Sequence, residues 1–554
     1  MLSSEEILFS SLDKLSDLLH IAAISLSDII TEHMKLQNKS NYLNFIWLIA
    51  LLPIMLFRDY TPSNELRYLS IVDEALRNGN IFTFSHQGVP YADKPPLFFW
   101  LMMIGKLILG GHYMWYLSLL SFIPAAIILM VMNKWIKNET DQKGITAAQL
   151  LLMSCALFLG STPIVRMDML MTMFIVLALN TFYKIYTGTS TKADTWLFPV
   201  YVFFALFSKG PVGLLMPLVS TLAFLIFKKQ IKTWKKYWGA KTLIILLVLC
   251  GIWFAGVFAE GGTEYLNNLV FHQTVGRAVD SFHHKAPFYF YGISIWYSIF
   301  PWSFLFIGLL AAGLYYKKIK TDLEWFFLIT FIATFVMLSS FSSKLAIYLV
   351  PLLPFLTYFS ALQLRKYRWN KWIGLSLAIP ILIFILALPA LLIATSSNAE
   401  LSYLRLPVIY AGTGILTLTG IICVIVIYKQ KDIYRTIETF VLGFFLTIFV
   451  VGWSMKDINP QLGFADVCKD AKAISEEAKT SGYNTYKIKR SVSMDVFLGQ
   501  KVDEITLDQL RNKLNANELL IIERKRFEKD KELSTLIKNK KRYPAVNYYI
   551  VDLR

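Results

Sequence analysis

Long apolar runs alternate with short polar segments over most of the chain. They fall at 43–57, 113–133, 147–160, 169–187, 196–208, 211–227, 241–259, 289–315, 324–341, 345–363, 373–395, 405–428 and 434–454, each bounded by polar or charged residues. A bilayer's hydrocarbon core takes about 20 apolar helical residues to cross upright. The pattern therefore predicts an all-α polytopic membrane protein with about 13 transmembrane helices. A fourteenth apolar stretch, 95–109, is short and begins Lys94-Pro95-Pro96, a suitable helix start.

Charge decides what to do with that extra stretch. Basic clusters occur at Lys134/Lys137/Lys143, Lys228/Lys229/Lys232/Lys235/Lys236, Lys317/Lys318/Lys320, Arg365/Lys366/Arg368/Lys371 and Lys429/Lys431/Arg435. Basic loops stay on the cytoplasmic side, so neighbouring clusters must be separated by an even number of crossings. The thirteen runs satisfy this, with four, two, two and two crossings between successive clusters. From an inside N-terminus, 43–57 exits and 113–133 returns, which leaves no crossing for 95–109. That segment is expected to lie in the interface or to dip in and come back.

Three regions follow: a cytoplasmic amphipathic extension at 1–42, a membrane domain at 43–454 and an outer domain at 455–554. The extension has early acids at Glu5, Glu6, Asp13 and Asp17, which do not suit a signal peptide, and apolar residues at helical spacing. The last region loses the long apolar runs. Helical patterns at 464–480, 507–514 and 529–538 alternate there with strand-like runs at Tyr486–Ile488, Leu519–Ile522 and Tyr548–Val551, which predicts a small α/β domain.

Composition supports the membrane assignment and narrows the function. Hydrophobic residues make up 55% and charged residues 17% of 554, against about 25% charged in a soluble domain. That excludes a secreted globular enzyme and a disordered protein. The formal charge of +17 comes mostly from the clusters between apolar runs, so it orients the protein in lipid and calls for no nucleic-acid partner. Four scattered cysteines, Cys155, Cys250, Cys423 and Cys468, make neither a disulfide framework nor a zinc motif.

Candidate chemistry gathers on the outer side. The loop 58–94 is long and rich in charge, with Glu65 and Arg67 opening a helix-like stretch. The next outer loop carries Arg166-Met167-Asp168 at the mouth of a span, where a carboxylate needs solvent or a partner. The loop 260–288 carries His272, Arg277, His283, His284 and Lys285. Adjacent His283 and His284 diverge on a regular element, so a metal there would need ligands from another loop. Ser342-Ser343-Lys344 ends one span, and Tyr348 and Pro351 begin the next. Carboxylates and cations thus meet at lipid head-group level, where cations can hold a lipid phosphate while a carboxylate works on an acceptor.

These motifs resemble a known family. Asn64-Glu65-Leu66-Arg67-Tyr68, Gly88-Val89-Pro90-Tyr91-Ala92-Asp93-Lys94-Pro95-Pro96-Leu97, Arg166–Thr172, His272–Arg277, His283-His284-Lys285 and Ser343-Lys344…Tyr348…Pro351 follow in order as in the aminoarabinose transferase-like glycosyltransferases, relatives of protein mannosyltransferases with the GT-C fold. The resemblance covers residues 43–363. It implies an inverting, pentosyl- or hexosyl-transferring enzyme of the bacterial inner membrane that takes a sugar from a polyprenyl (undecaprenyl) phosphate at the periplasmic face. The acceptor would be lipid A or another lipid or glycan of the envelope.

By the same resemblance, Glu65 and Asp168 are the catalytic carboxylates, and Lys94, Arg277 and Tyr348, with Arg67 and Lys344, hold the donor phosphate. Tyr68, Tyr91, His283 and His284 would contact donor or acceptor, and Asp93 with His272 lie nearest a divalent-metal position. Family members carry an acidic pair where this chain has Asn64-Glu65, which places the base role on Glu65. A hydroxyl acceptor would need Glu65 or Asp168 as base, whereas a phosphate acceptor is already a nucleophile. The rival from another class is a transporter or lipid flippase; such proteins tend to place ionisable groups near the midplane and to show internal repeats, whereas here the polar residues gather on one face.

Overall fold

The structure is a computed structural model that describes residues 40–270 and 285–554. The expected extension at 1–42 lies outside these residues except for its last three, which begin the first membrane helix, Ser40–Phe57.

Eight helices are long and apolar enough to cross a bilayer: Ser40–Phe57, Met114–Ile136, Asp168–Thr187, Ala240–Val270, Asp322–Ser340, Ala346–Leu364, Pro407–Gln430 and Ile433–Gly452. Two broken pairs, Phe290–Ser298 with Ser303–Tyr315 and Lys371–Ile385 with Ala387–Ser397, bring the number to ten. The other three expected crossings are helices too, but short or polar-ended: Gln142–Ser154 continued by Ala156–Ser161, Lys192–Lys209, and Val212–Phe227. Every expected span is thus helical, and the shortfall from thirteen lies in length and polarity.

Local sequence explains the breaks and starts. The run 289–315 turns by 117° between its halves, where Pro301 supplies no backbone N–H to continue the helical ladder. Thr191 and Thr321 each form a reciprocal capping box, with Asp194 and Glu324 respectively. The segment Leu97–Leu109 is a helix of 13 residues ended by Gly110 at φ 76°. At 1.5 Å per residue it is about 20 Å long, short of a hydrocarbon core of about 30 Å. It falls with Val212–Phe227 among the shorter apolar helices of the bundle.

Ion pairs sort the loops into two sets, one at each end of the bundle. At one end Arg365 meets Glu139, Lys366 meets Glu324, Lys228 meets Asp322 and Lys184 meets Asp194. These join the basic loops assigned to the cytoplasm. At the other end Arg58 meets Glu65, and Lys209 and Arg166 meet Asp168.

The last hundred residues form a helix-flanked five-stranded sheet in the order Val502–Glu504, Gly482–Thr485, Glu518–Glu523, Tyr548–Asp552, Arg542–Pro544. The first three strands are parallel and the last two pair antiparallel. The strand expected at Tyr486–Ile488 is found at Gly482–Thr485, ending just before the expected segment. Lys487 and Arg490 adopt left-handed backbone, φ 50° and 65°, which ends the strand before them. This domain sits on the first outer loop: the Asp495 carboxylate accepts from Ser70 Oγ and Gln87 Nε2, both at 2.9 Å, and Asn459 Oδ1 accepts from the Asp59 backbone N–H at 2.9 Å.

Candidate functional site

The long first loop is pinned at its start by Glu65, the first residue of the helix Glu65–Asn78. Its side chain is fully buried, and its two oxygens accept from Arg58 Nη1 and Nη2 at 2.7 and 2.8 Å, from Thr61 N and Oγ1 at 2.7 and 2.8 Å, and from Val165 N at 2.8 Å. Burial pushes this carboxyl up, but the Arg58 guanidinium and the two backbone N–H groups outweigh it and leave it below the ordinary glutamate range. The carboxylate expected to act as base is thus fully engaged in tying the first outer loop to the second. Asn64 immediately before it caps no helix N–H with its side chain.

The charges around Asp168 form a separate cluster. Asp168 opens the helix Asp168–Thr187 and is buried between two cations, Lys209 Nζ in close contact with Oδ1 and Arg166 Nε 3.2 Å from Oδ2. Lys209 ends the helix Lys192–Lys209 and places its ammonium 4.4 Å from the centre of the Tyr348 ring. Lys94 and Arg166 lie within electrostatic reach of Lys209. Three loops and the 3-10 turn Ala346–Leu352 therefore deliver one carboxylate, three cations and a phenol to the same place.

Beside it the first loop adds a second group. The Arg67 guanidinium lies 5.4 Å from the centre of the Tyr91 ring and 5.8 Å from that of Tyr68. Its Nε is enclosed yet donates to nothing among the described residues. Tyr91 donates its hydroxyl to Asp93 Oδ2 at 3.1 Å, and Asp93 lies 3.5 Å from Lys94 Nζ. Tyr68 feels Arg166, Arg67, Asp168 and Asp93, which joins the two groups into one site. Burial raises both phenols above the ordinary tyrosine range, so they remain hydrogen-bond donors. His86, at the edge facing the C-terminal domain, is lowered by burial and then by Arg67, and is a neutral imidazole at neutral pH.

The structure thus brings Arg67, Tyr68, Tyr91, Asp93, Lys94, Asp168 and Tyr348 together. Lys344 is turned elsewhere: it is buried and donates to the backbone carbonyls of Phe341 and Ala286, the latter at 3.0 Å, clasping two outer loops. Its charge serves that junction rather than an open anion site. His272, Arg277, His283 and His284 lie outside the described residues. Among the described residues no three metal-ligating side chains come together. Asp93, one of the two residues nearest the expected metal position, is bonded instead to Tyr91 and Lys94.

Two residues are additions to the expected set. Arg58 is the partner of Glu65, and Lys209 is the partner of Asp168. In the sequence Lys209 is a single cation at the turn Lys209-Gly210-Pro211 between two apolar runs, which does not set it apart from an interface anchor.

The dolichyl-phosphate-mannose-protein mannosyltransferase family matches residues 93–253, the stretch that holds Asp93, Lys94, Arg166, Asp168 and Lys209. An undecaprenyl phosphate-alpha-4-amino-4-deoxy-L-arabinose arabinosyl transferase from Pseudomonas fluorescens is 25% identical over 61% of this chain and 60% of its own length. The crystal structure of ArnT from Cupriavidus metallidurans bound to undecaprenyl phosphate superposes with a TM-score of 0.75 at 15% identity, covering 93% of this chain and 98% of that one. The chain shares the fold of that transferase and resembles the aminoarabinose transferase-like proteins in sequence.

An uncharacterised protein of Aquifex aeolicus is a further relative, 25% identical over 64% of this chain and 71% of its own length. The match spans about 60% of the length of the arabinosyl transferases.

Proposed function

We propose that this chain is an inverting glycosyltransferase of the bacterial inner membrane. It moves a sugar from a polyprenyl phosphate, of the undecaprenyl type that its relatives' names carry, to an envelope acceptor at the periplasmic face. The observation that carries this reading is the convergence of Lys94, Arg166 and Lys209 around Asp168, with Arg67 beside them lacking a hydrogen-bond partner for its enclosed Nε. The named relatives are arabinosyl transferases and the matching family is a mannosyltransferase one, which favours covalent chemistry over the transporter reading.

The chemistry follows from charge. As the sugar's anomeric carbon parts from the lipid phosphate, negative charge grows on the leaving oxygen. Lys94, Tyr348 and Arg277 are assigned to that phosphate, and Lys209, held by Asp168, stands ready as charge accumulates. Cations that bind the departing phosphate more tightly than the intact donor lower the barrier. Arg67, stacked beside Tyr91, is placed to take an anionic group on the acceptor or donor, since guanidinium matches phosphate oxygens in pairs.

The carboxylates bear on the acceptor. Glu65 has both oxygens saturated, Asp168 is clamped by two cations and Asp93 accepts from Tyr91. A base must be within reach of the proton it removes and have a lone pair for it. This arrangement favours an acceptor whose attacking oxygen is already ionised, such as a lipid phosphate, for which positioning suffices.

The test is to incubate purified protein with a panel of polyprenyl-phosphate sugars and to follow release of the free lipid phosphate. Transfer from one or more donors is expected; no release with any donor and acceptor pair, while the lipid still binds, would turn the reading toward transport. Lys94→Ala is expected to weaken donor binding about tenfold or more, the equivalent of a charge-assisted contact of about 1.5–3 kcal/mol, and unchanged affinity would remove Lys94 from the site. Orientation has its own check. Paired fusions at Arg554 are expected to give an active alkaline phosphatase and a dark fluorescent protein, and the opposite pattern would place the site in the cytoplasm.

A further inference from the structure

The C-terminal domain carries a second cationic feature that the transfer site does not use. An open cup of about 670 Å³ is lined by Glu523, Lys525, Arg526, Lys529, Asp530 and Lys531. Four cations thus face two acids, and one acid is already occupied: Asp530 Oδ1 accepts from the Leu533 N–H at 3.1 Å and Oδ2 from the Tyr486 hydroxyl at 3.3 Å. Arg526 Nε is enclosed with no hydrogen-bond partner among the described residues. Arg542 stands over the adjacent Phe527 ring, 4.9 Å from its centre, and adds to the positive field.

Position identifies what such a cup meets. Lys525 Nζ lies 2.7 Å from Glu400 Oε1, and Glu400 belongs to the turn Ala399–Leu404 that joins the membrane helices Ala387–Ser397 and Pro407–Gln430. The rim of the cup is therefore held beside the point where two helices leave the bilayer, in the layer of lipid head groups. The contact itself, between two exposed side chains, contributes little to stability. Basic residues in that layer attract anionic lipids, an effect that fades within a Debye length of about 8–10 Å.

We propose that this cup binds the phosphate head group of an anionic membrane lipid, with Arg526, Lys529 and Lys531 as its cationic contacts. Guanidinium pairs with two phosphate oxygens and the ammonium groups act as point charges around them. The cup lies apart from the Asp168–Lys209 cleft and on different elements, so this assignment stands whichever sugar is transferred.

The full-length protein in phosphatidylcholine nanodiscs containing a minor fraction of photoactivatable phosphatidylglycerol provides the test, with labelled residues mapped by mass spectrometry. Label is expected within 523–531. The paired change Lys529→Gln/Lys531→Gln should lower it roughly fivefold per charge removed, while the equal-charge control Lys538→Gln/Lys541→Gln in the same domain should leave it unchanged. Arg526→Gln should lower it as well, and the exposed lysine pair keeps the answer clear if that variant folds poorly. Label absent from 523–531, equal losses in the two lysine pairs, or displacement of the label by inorganic phosphate would each overturn the proposal, the last by pointing to a soluble anion.

Discussion

Lys209→Met is expected to lower turnover by roughly 100- to 1,000-fold, the usual loss when one preorganised partner of a developing negative charge is removed. The methionine keeps most of the apolar stem in place, so the change tests the ammonium and not the packing. Lys209 earns this weight from its surroundings: it is buried against Asp168 and lies over the Tyr348 ring, where a charge interacts strongly with whatever enters the cleft. Single-turnover release of polyprenyl phosphate, measured beside donor affinity, separates the two roles. A fall in the chemical step with affinity nearly retained fits charge stabilisation. A loss confined to affinity would make Lys209 a binding residue only.

Glu65→Gln is expected to act mainly on stability, by about 3–5 kcal/mol, because it leaves the Arg58 guanidinium buried without its counter-charge. Thermal unfolding in detergent reads this directly, and Arg58→Met/Glu65→Leu should recover part of the loss by removing both charges. The sign of the pH dependence follows from the lowered pKa of Glu65. The ion pair's contribution is complete above the unfolded carboxyl's pKa and is lost as pH falls through the folded one. The gap between the native chain and Glu65→Gln should therefore narrow in acid. Lost turnover with unchanged stability would instead return Glu65 to the role of general base that the sequence suggested.

The bundle was legible in the chain because a membrane writes its thickness into runs of apolar residues. The clusters around Lys228 and Arg365 gave an expected alternation of sides, and the run at 97–109 stood apart by its shortness. The cleft was only half legible. Glu65 stood out for its nearness to Arg67, yet residues two apart on a helix point in different directions, and its partner is Arg58, seven positions before it. Lys209 at the end of an apolar run looks like any cation reaching for the interface. Only the fold brings it to Asp168, 41 positions away. Tyr486–Ile488 misled for a local reason, since alternation persists past the point where Lys487 turns the backbone left-handed.

The bonds of Asp59 set an order of assembly. Its backbone N–H donates to Asn459, 400 positions later, and its carboxylate accepts from the Ala465 N–H, 406 positions later. A chain emerging from the ribosome can insert its first two helices early, but the segment between them lacks these partners until nearly the whole sequence has been made. Because domains tend to fold as units while the chain is being synthesised, the membrane bundle can be complete before the first loop has these contacts. A nascent chain cut short ahead of Asn459 would keep every apolar crossing and leave Asp59 without either contact. The final hundred residues thus supply contacts of the first loop that the membrane bundle alone does not provide.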